Sequence, residues 1–178
     1  MRVESAPMSD QDQLPPIMAK LHRLEFDYDD GDGIDFEPYQ EFFPQDETTA
    51  WIRAWTSNKT LTGDAYRIFG QDGSGGYAAF WMARPGKPLL EQPIVFFGSE
   101  GELGIVAKDF ADYLWLLAGG FGPYEAVSYP DDERDEAPEF MSFAEKNAPA
   151  ARKTPQEVIA AAVAEFPDFE ANFRKLCQ

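Results

Sequence analysis

The residues best suited to chemistry in this chain are closely spaced acids near its N-terminal end. Five aspartates fall between Asp27 and Asp35, and carboxylate oxygens at such spacing are ligands that calcium prefers. An EF-hand loop, however, needs glycine at its sixth position, and counting from Asp27 or from Asp30 places an aspartate there. We therefore predict no cofactor and interpret the segment as a solvated acidic loop, which leaves only weak, adventitious cation binding open.

A glycine-rich run at residues 73–76 invites comparison with a phosphate-binding loop. It lacks the lysine and the hydroxyl residue of a Walker motif, and it leads into a predicted strand instead of a helix N-terminus. A hairpin turn explains the run better.

Groups for nucleophilic catalysis are scarce. His22 is the one imidazole, Cys177 lies one residue from the end, and no Gly-x-Ser-x-Gly elbow is present. We predict no catalytic residue. A carboxylate-based or metal-dependent enzyme stays open as a remote alternative, which a pocket of convergent carboxylates around His22 would favour.

Charge is large and unevenly placed. The net charge is −17, with 13 acids and 3 bases in residues 1–50, 8 and 6 in residues 51–128, and 11 and 6 in residues 129–178. Acidic flanks repel nucleic acid and anionic lipid and attract a cationic partner, although acid also simply keeps a protein soluble. With no bilayer-spanning run, no apolar signal core and one cysteine, we predict a cytoplasmic protein without membrane association.

Two hairpins occupy the centre of the chain. The alternation of apolar runs with glycine and acid turns predicts strands at Tyr66–Phe69, Tyr77–Ala83, Ile94–Phe97 and Leu103–Ala107. Residues 27–42, rich in Asp, Gly and Pro, are predicted to be irregular.

Helices are predicted before, after and between these strands. The first helix is predicted over Leu14–Phe26, after a proline start. Asp46, Asp109, Thr154 and Asp168 have the residue types of N-caps. Apolar side chains at helical spacing are predicted to face the core: Phe110, Tyr113, Leu114 and Leu117 in one helix, and Val158, Ile159, Ala162, Val163 and Phe166 in another.

The four tryptophans are predicted to belong mainly to the core, with one or two at the rim of a protein-binding surface. They are Trp51, Trp55, Trp81 and Trp115.

The length suits one domain over residues 1–178, with a loose leader at 1–13 and an acidic loop and C-terminal helices at 123–178. Within it, residues 34–122 carry a family resemblance. The runs IDFEPYQEFFPQDETTAWIRAWTSN, FGQDGSGGYAAFW and PIVFFGSEGELGIVAKDFADYLWLLAGG resemble the SUKH superfamily of the Smi/Knr type.

That resemblance implies an α+β fold with one curved, mainly antiparallel sheet packed by helices, and a role in protein binding without catalysis. Many bacterial members are thought to be immunity proteins that neutralise toxins, often nucleases, whereas fungal relatives are regulators that bind other proteins. An immunity protein is therefore the leading expectation here, and an intracellular regulatory or scaffolding protein is the alternative.

Charge adds an argument of its own, because a nuclease presents a basic cleft that an acidic protein can occlude. We expect a basic toxin domain as the partner and no nucleic acid. The expected contact residues are Asp29, Asp30, Asp32, Asp35, Glu37, Asp72, Glu100 and Glu102.

Overall fold

The computed structural model describes residues 12–178. Five strands form one antiparallel sheet in which spatial order follows chain order. The fold is therefore α+β with a single sheet, as predicted. The strands are β1 (Glu37–Pro38), β2 (Tyr66–Gln71), β3 (Tyr77–Trp81), β4 (Ile94–Phe97) and β5 (Leu103–Ala107).

Both predicted hairpins are confirmed. Strands β2 and β3 pair from Tyr66 opposite Trp81 to Gln71 opposite Tyr77, and β4 and β5 pair with Phe97 opposite Leu103. Gly75 and Gly101 lie in the two turns with φ of +94° and +91°. Only glycine adopts that region without a steric cost, which explains why each turn has a glycine at this position.

In the described part of the chain, seven α-helices cover the sheet. They are α1 (Pro16–Leu21), α2 (Gln45–Thr56), α3 (Phe110–Ala118), α4 (Pro123–Ser128), α5 (Pro138–Asn147), α6 (Pro155–Glu165) and α7 (Phe169–Arg174). Among residues 12–178, none of them is long and apolar enough to cross a bilayer.

Each face of the sheet has its own apolar cluster, because side chains alternate along a strand. Phe80 and Phe96 belong to the cluster that contains residues of α1, α3, α4 and α5. Ala79 and Phe97 belong to the other, with residues of α2, α6 and α7. All four residues of β4 are fully buried, which is why its sequence, IVFF, is continuously apolar.

Of the four predicted helix caps, those at Asp109 and Thr154 are confirmed and that at Asp46 is wrong. Asp168 occupies the N-cap position of α7, but its side chain makes no bond to the helix. Asp109 accepts from the backbone N–H of Asp112 at 2.8 Å, and Thr154 accepts from that of Glu157 at 3.2 Å. Asp46, in contrast, lies inside the first turn, because α2 begins at Gln45 after Pro44.

Two further predictions need correction. The helix expected over Leu14–Phe26 covers only Pro16–Leu21, because the N–H of Arg23 turns to the carbonyl of Lys20 in a tighter bond. Val163 is 48% exposed. It lies five residues after buried Val158, which rotates it by roughly 140° around α6 and away from the sheet.

The N-terminal part of the chain is also better ordered than expected. Residues 1–11 of the predicted leader lie outside the described residues, but Gln13 forms an antiparallel bridge with Glu41. The segment predicted to be irregular contains the short strand β1, which pairs with β2.

Candidate functional site

The Asp-rich segment folds into a hydrogen-bonded loop. The N–H of Ile34 donates to the carbonyl of Asp27 at 2.8 Å and closes it, and a single 3₁₀ turn spans Asp29–Gly31. Asp29 and Asp30 have φ of +45° and +49°, a conformation that aspartate tolerates better than most residues. The carboxylates of Asp29, Asp30 and Asp32 are consequently exposed to solvent.

A second acidic segment, at residues 129–139, runs from the end of α4 into the first turn of α5 and lies against this loop. Arg134 joins the two segments. Its Nε donates to the carbonyl of Gly120 at 2.7 Å, and its Nη2 donates to the carbonyls of Gly33 and Gly31. The guanidinium also lies over the ring of Phe121, 5.7 Å from its centroid.

The two segments enclose a groove of about 590 Å³, which we call the acidic groove. Among the described residues that line it, eight are acids and one, Arg134, is a base. Half of the acids come from each segment. They are Glu25, Asp27, Asp29 and Asp32 on one side and Glu133, Asp135, Glu136 and Glu139 on the other.

The charge of the groove is poorly compensated. The guanidinium of Arg134 is engaged by backbone carbonyls, and no ion pair joins it to any of the eight carboxylates in the described part of the chain. Like charges concentrated in a concave surface produce a strong local potential. The groove is therefore suited to a cationic ligand larger than one ion.

The remaining expected contact residues are divided between other places. Asp35 accepts from the N–H of Gly73 at 2.8 Å and thereby ties the loop to the β2–β3 turn. Glu37 is exposed on β1, where it accepts from Gln71 at 3.3 Å. Neither residue lines the acidic groove.

Asp72 is buried, with 1% of its surface exposed, contrary to the expectation that this turn acid faces solvent. Its Oδ1 accepts from the N–H and hydroxyl of Ser74, at 2.8 and 2.7 Å, and from the N–H of Gly76 at 2.9 Å. Asp72 therefore shapes the turn from inside and presents no carboxylate to a partner.

Glu100 and Glu102 lie in the turn between β4 and β5. Glu100 is exposed, and its N–H donates to the half-buried carboxylate of Glu102 at 3.1 Å. Ser99 of this turn donates to Ser74 at 3.0 Å, so the two hairpin tips are adjacent. They form a surface separate from the acidic groove.

His22 is 3% exposed and lies between aromatic rings, 6.4 Å from Phe26 and 6.0 Å from Phe69. Its Nδ1 donates to the carbonyl of Tyr39 at 2.5 Å, and its Nε2 has no partner among the described residues. Burial lowers the pKa of the imidazole, and the bond to Tyr39 opposes that shift only in part. Among the described residues, no carboxylate forms a hydrogen bond or an ion pair with the ring, so the structure does not show the pocket of convergent acids that an enzyme would need there.

Glu125 is a buried acid of α4, 4% exposed. Its Oε1 accepts from the N–H of Asp35 at 2.9 Å, whereas its Oε2 and the hydroxyl of nearby Tyr113 have no partner in the described part of the chain. Burial raises the pKa of Glu125, against the opposing effect of the Asp35 N–H. Burial and then the charge of Glu125 raise the pKa of Tyr113.

The described residues contain no candidate metal site. Within residues 12–178, no three His, Cys, Asp or Glu side chains are arranged to hold a metal ion. Asp29, Asp30 and Asp32 are close in sequence and exposed to solvent, whereas Asp35 is bonded to Gly73.

Of the tryptophans, Trp115 is fully in the core and donates to the carbonyl of Ala148 at 2.8 Å. Trp51, Trp55 and Trp81 are half-buried around the second apolar cluster.

Sequence reasoning missed the acids at 133–139 as part of a site. Their charge was evident, but their position beside a loop about one hundred residues earlier was not, because one sequence carries no signal for that contact.

Comparison with protein-family models, curated proteins and solved structures finds no match to this chain. The SUKH resemblance therefore rests on the quoted motifs alone.

Proposed function

We propose that this protein is a non-enzymatic binding module that recognises a basic protein domain through the acidic groove. The observation that carries the proposal is the groove itself, with eight acids, one base, and that base held by backbone carbonyls. A cationic surface inserted there gains attraction from both acidic segments at once.

The charge of the whole chain favours the same partner. A net charge of −17 attracts a basic protein over distances of about a Debye length, ~8–10 Å at physiological salt. Such steering raises association rates and repels nucleic acid and other acidic proteins. Complex formation should accordingly weaken as salt increases.

A toxin is the partner class that we favour, because the SUKH resemblance implies immunity proteins and because nuclease toxins carry a basic substrate cleft. Binding in that cleft would block the toxin by occupying the place of its substrate. We assign the function to the cytoplasm, where a chain with one cysteine loses nothing in a reducing environment.

Capture from the native host, followed by co-expression, tests the proposal. Tagged protein should retain a basic polypeptide that washes off in high salt, and co-expression should restore growth to cells that this polypeptide otherwise arrests. If the retained polypeptide is an endogenous protein without toxicity, the regulatory alternative replaces immunity. If nothing basic is retained, protein binding through the groove is refuted.

A further inference from the structure

A second groove, of about 450 Å³, lies where α6 meets α7 and shares no lining residue with the acidic groove. Half of the residues that line it are aromatic. Trp81 packs against Phe166 and Phe169, with ring centroids 5.3 and 4.8 Å apart, and Phe173 lies beside Phe169 at 6.1 Å. Trp81 and Phe166 are half-buried, so parts of both rings face the groove.

Two exposed acids, Glu165 and Asp168, line the same groove, and none of its lining residues in the described part of the chain is basic. Glu165 is paired with Arg84. The carboxylate of Asp168 caps no helix N–H, although the residue precedes α7, and it has no hydrogen-bond or ion-pair partner among the described residues. An aromatic groove with a free carboxylate is complementary to a cation that also has apolar surface.

Arg84 of the chain itself is an example of such a cation bound by residues of this groove. Its guanidinium lies over the ring of Phe166, 5.2 Å from the centroid, while its Nη2 donates to Glu165. The chain thus already combines one carboxylate and one aromatic face around a guanidinium. Trp81 and Asp168 offer the same two elements on the groove side, without a cation.

We propose that this second groove binds an arginine side chain presented by a partner polypeptide. The guanidinium pairs with Asp168, and the stem and planar face of the arginine pack on Trp81 and Phe166. Arginine fits better than lysine because its planar guanidinium stacks on aromatic rings and is more weakly hydrated. The proposal does not require the acidic groove to bind anything, since the two surfaces have no residue in common.

Titration of the ¹⁵N-labelled protein with the blocked tripeptide acetyl-Gly-Arg-Gly-amide tests this assignment. The indole N–H resonance of Trp81 should shift saturably. The isosteric peptide with citrulline, which lacks the charge, should bind several-fold more weakly. Asp168→Asn should weaken arginine-peptide binding about threefold, as expected for a partly exposed ion pair. Trp81→Leu should weaken it by a similar factor, about threefold, through loss of the cation–π contact.

Asp131→Asn serves as the matched control, because it removes one exposed acid outside this groove and should leave peptide affinity unchanged. Equal affinity for the citrulline peptide, an unchanged affinity in Asp168→Asn, or shifts confined to the acidic groove would each overturn the proposal. Tighter binding of free L-arginine than of the blocked peptide would overturn the assignment to a polypeptide partner. Loss of peptide binding in the control Asp131→Asn would also overturn the proposal.

Discussion

The guanidinium of Arg134 donates to the carbonyl oxygen of Gly33, which lies 101 residues earlier in the chain. This contact, with the bond from Arg134 to Gly120, holds two acidic segments side by side against their mutual repulsion. Arg134, the one base among the described residues that line the acidic groove, therefore supports the groove and leaves its carboxylates available.

Replacing Arg134 with glutamine should open the groove. The substitution removes the charge-assisted hydrogen bonds that Arg134 donates to backbone carbonyls, and these bonds hold two like-charged segments together. We therefore expect the free energy of unfolding to fall by about 1–3 kcal/mol. Urea denaturation measures the change. Arg23→Gln, at an exposed arginine, is the control and should change stability by less than about 0.5 kcal/mol. Equal losses in the two variants would contradict this role of Arg134.

Glu125 should make the protein less stable as pH rises. Its pKa is raised above the ordinary value of 4.5 by burial, so the unfolded chain releases the proton first. The stabilising contribution of the protonated acid is complete below pH 4.5 and is lost as pH rises through the raised pKa.

Glu125→Gln therefore should gain stability relative to the unsubstituted protein between pH 4 and pH 7, measured by urea denaturation at both pH values. Glu91→Gln, at an exposed acid, should show no such trend. A glutamine variant that loses stability relative to the unsubstituted protein over the same interval would show that the ionised carboxylate is favoured in the fold.

His22 should make the protein less stable as pH falls. Its pKa is lowered from 6.5 by burial, so the unfolded chain takes up a proton first as pH falls. The contribution of the neutral ring is complete above pH 6.5 and decreases below it. His22→Phe, in a site already bordered by Phe26 and Phe69, removes the titration at the cost of the bond to Tyr39.

Comparison of unfolding free energies at pH 7.5 and pH 5.5 should therefore show a smaller loss on acidification in His22→Phe than in the unsubstituted protein. An identical loss in both proteins would mean that His22 titrates in the fold as it does in the unfolded chain.

Asp72 should matter for stability and little for binding. Asp72→Ala leaves the N–H groups of Ser74 and Gly76 without their acceptor, and we expect a loss of about 2–4 kcal/mol in thermal or urea unfolding. Ser74→Ala keeps both N–H bonds to Asp72 and removes the bonds of the hydroxyl to Asp72 and Ser99, so it should cost about 1 kcal/mol. Similar small effects of both substitutions would contradict the buried role of this carboxylate.

Local signals in the sequence predicted the parts of the fold that are themselves local. The glycine turns and apolar runs predicted both hairpins, and Asp109 and Thr154 predicted two helix starts, because each feature depends on residues within a few positions. Strand β1 could not be predicted, since it has two residues, one of them proline, and exists only through pairing with β2.

The acidic groove, too, could be predicted from the sequence only in part. Asp29 and Asp32 were predicted as contact residues from their charge, and both line it, whereas Asp72 has the same charge and is buried. Local sequence does not distinguish a carboxylate that faces solvent from one that folds back onto its own turn. The pairing of the 27–35 and 129–139 segments through Arg134 depends on a long-range contact that neither segment encodes alone.

The most direct test of the central proposal is the affinity of the captured basic partner for a variant with fewer groove acids. The variant Asp32→Asn/Glu133→Gln/Glu136→Gln removes three exposed groove carboxylates. Its control, Glu41→Gln/Asp64→Asn/Glu91→Gln, removes three exposed acids elsewhere and changes the net charge equally. Calorimetry at low and high salt should show the groove variant at least about tenfold weaker at low salt, with a smaller salt dependence, and the control nearly unchanged. Equal affinities of the two variants would contradict binding through the acidic groove.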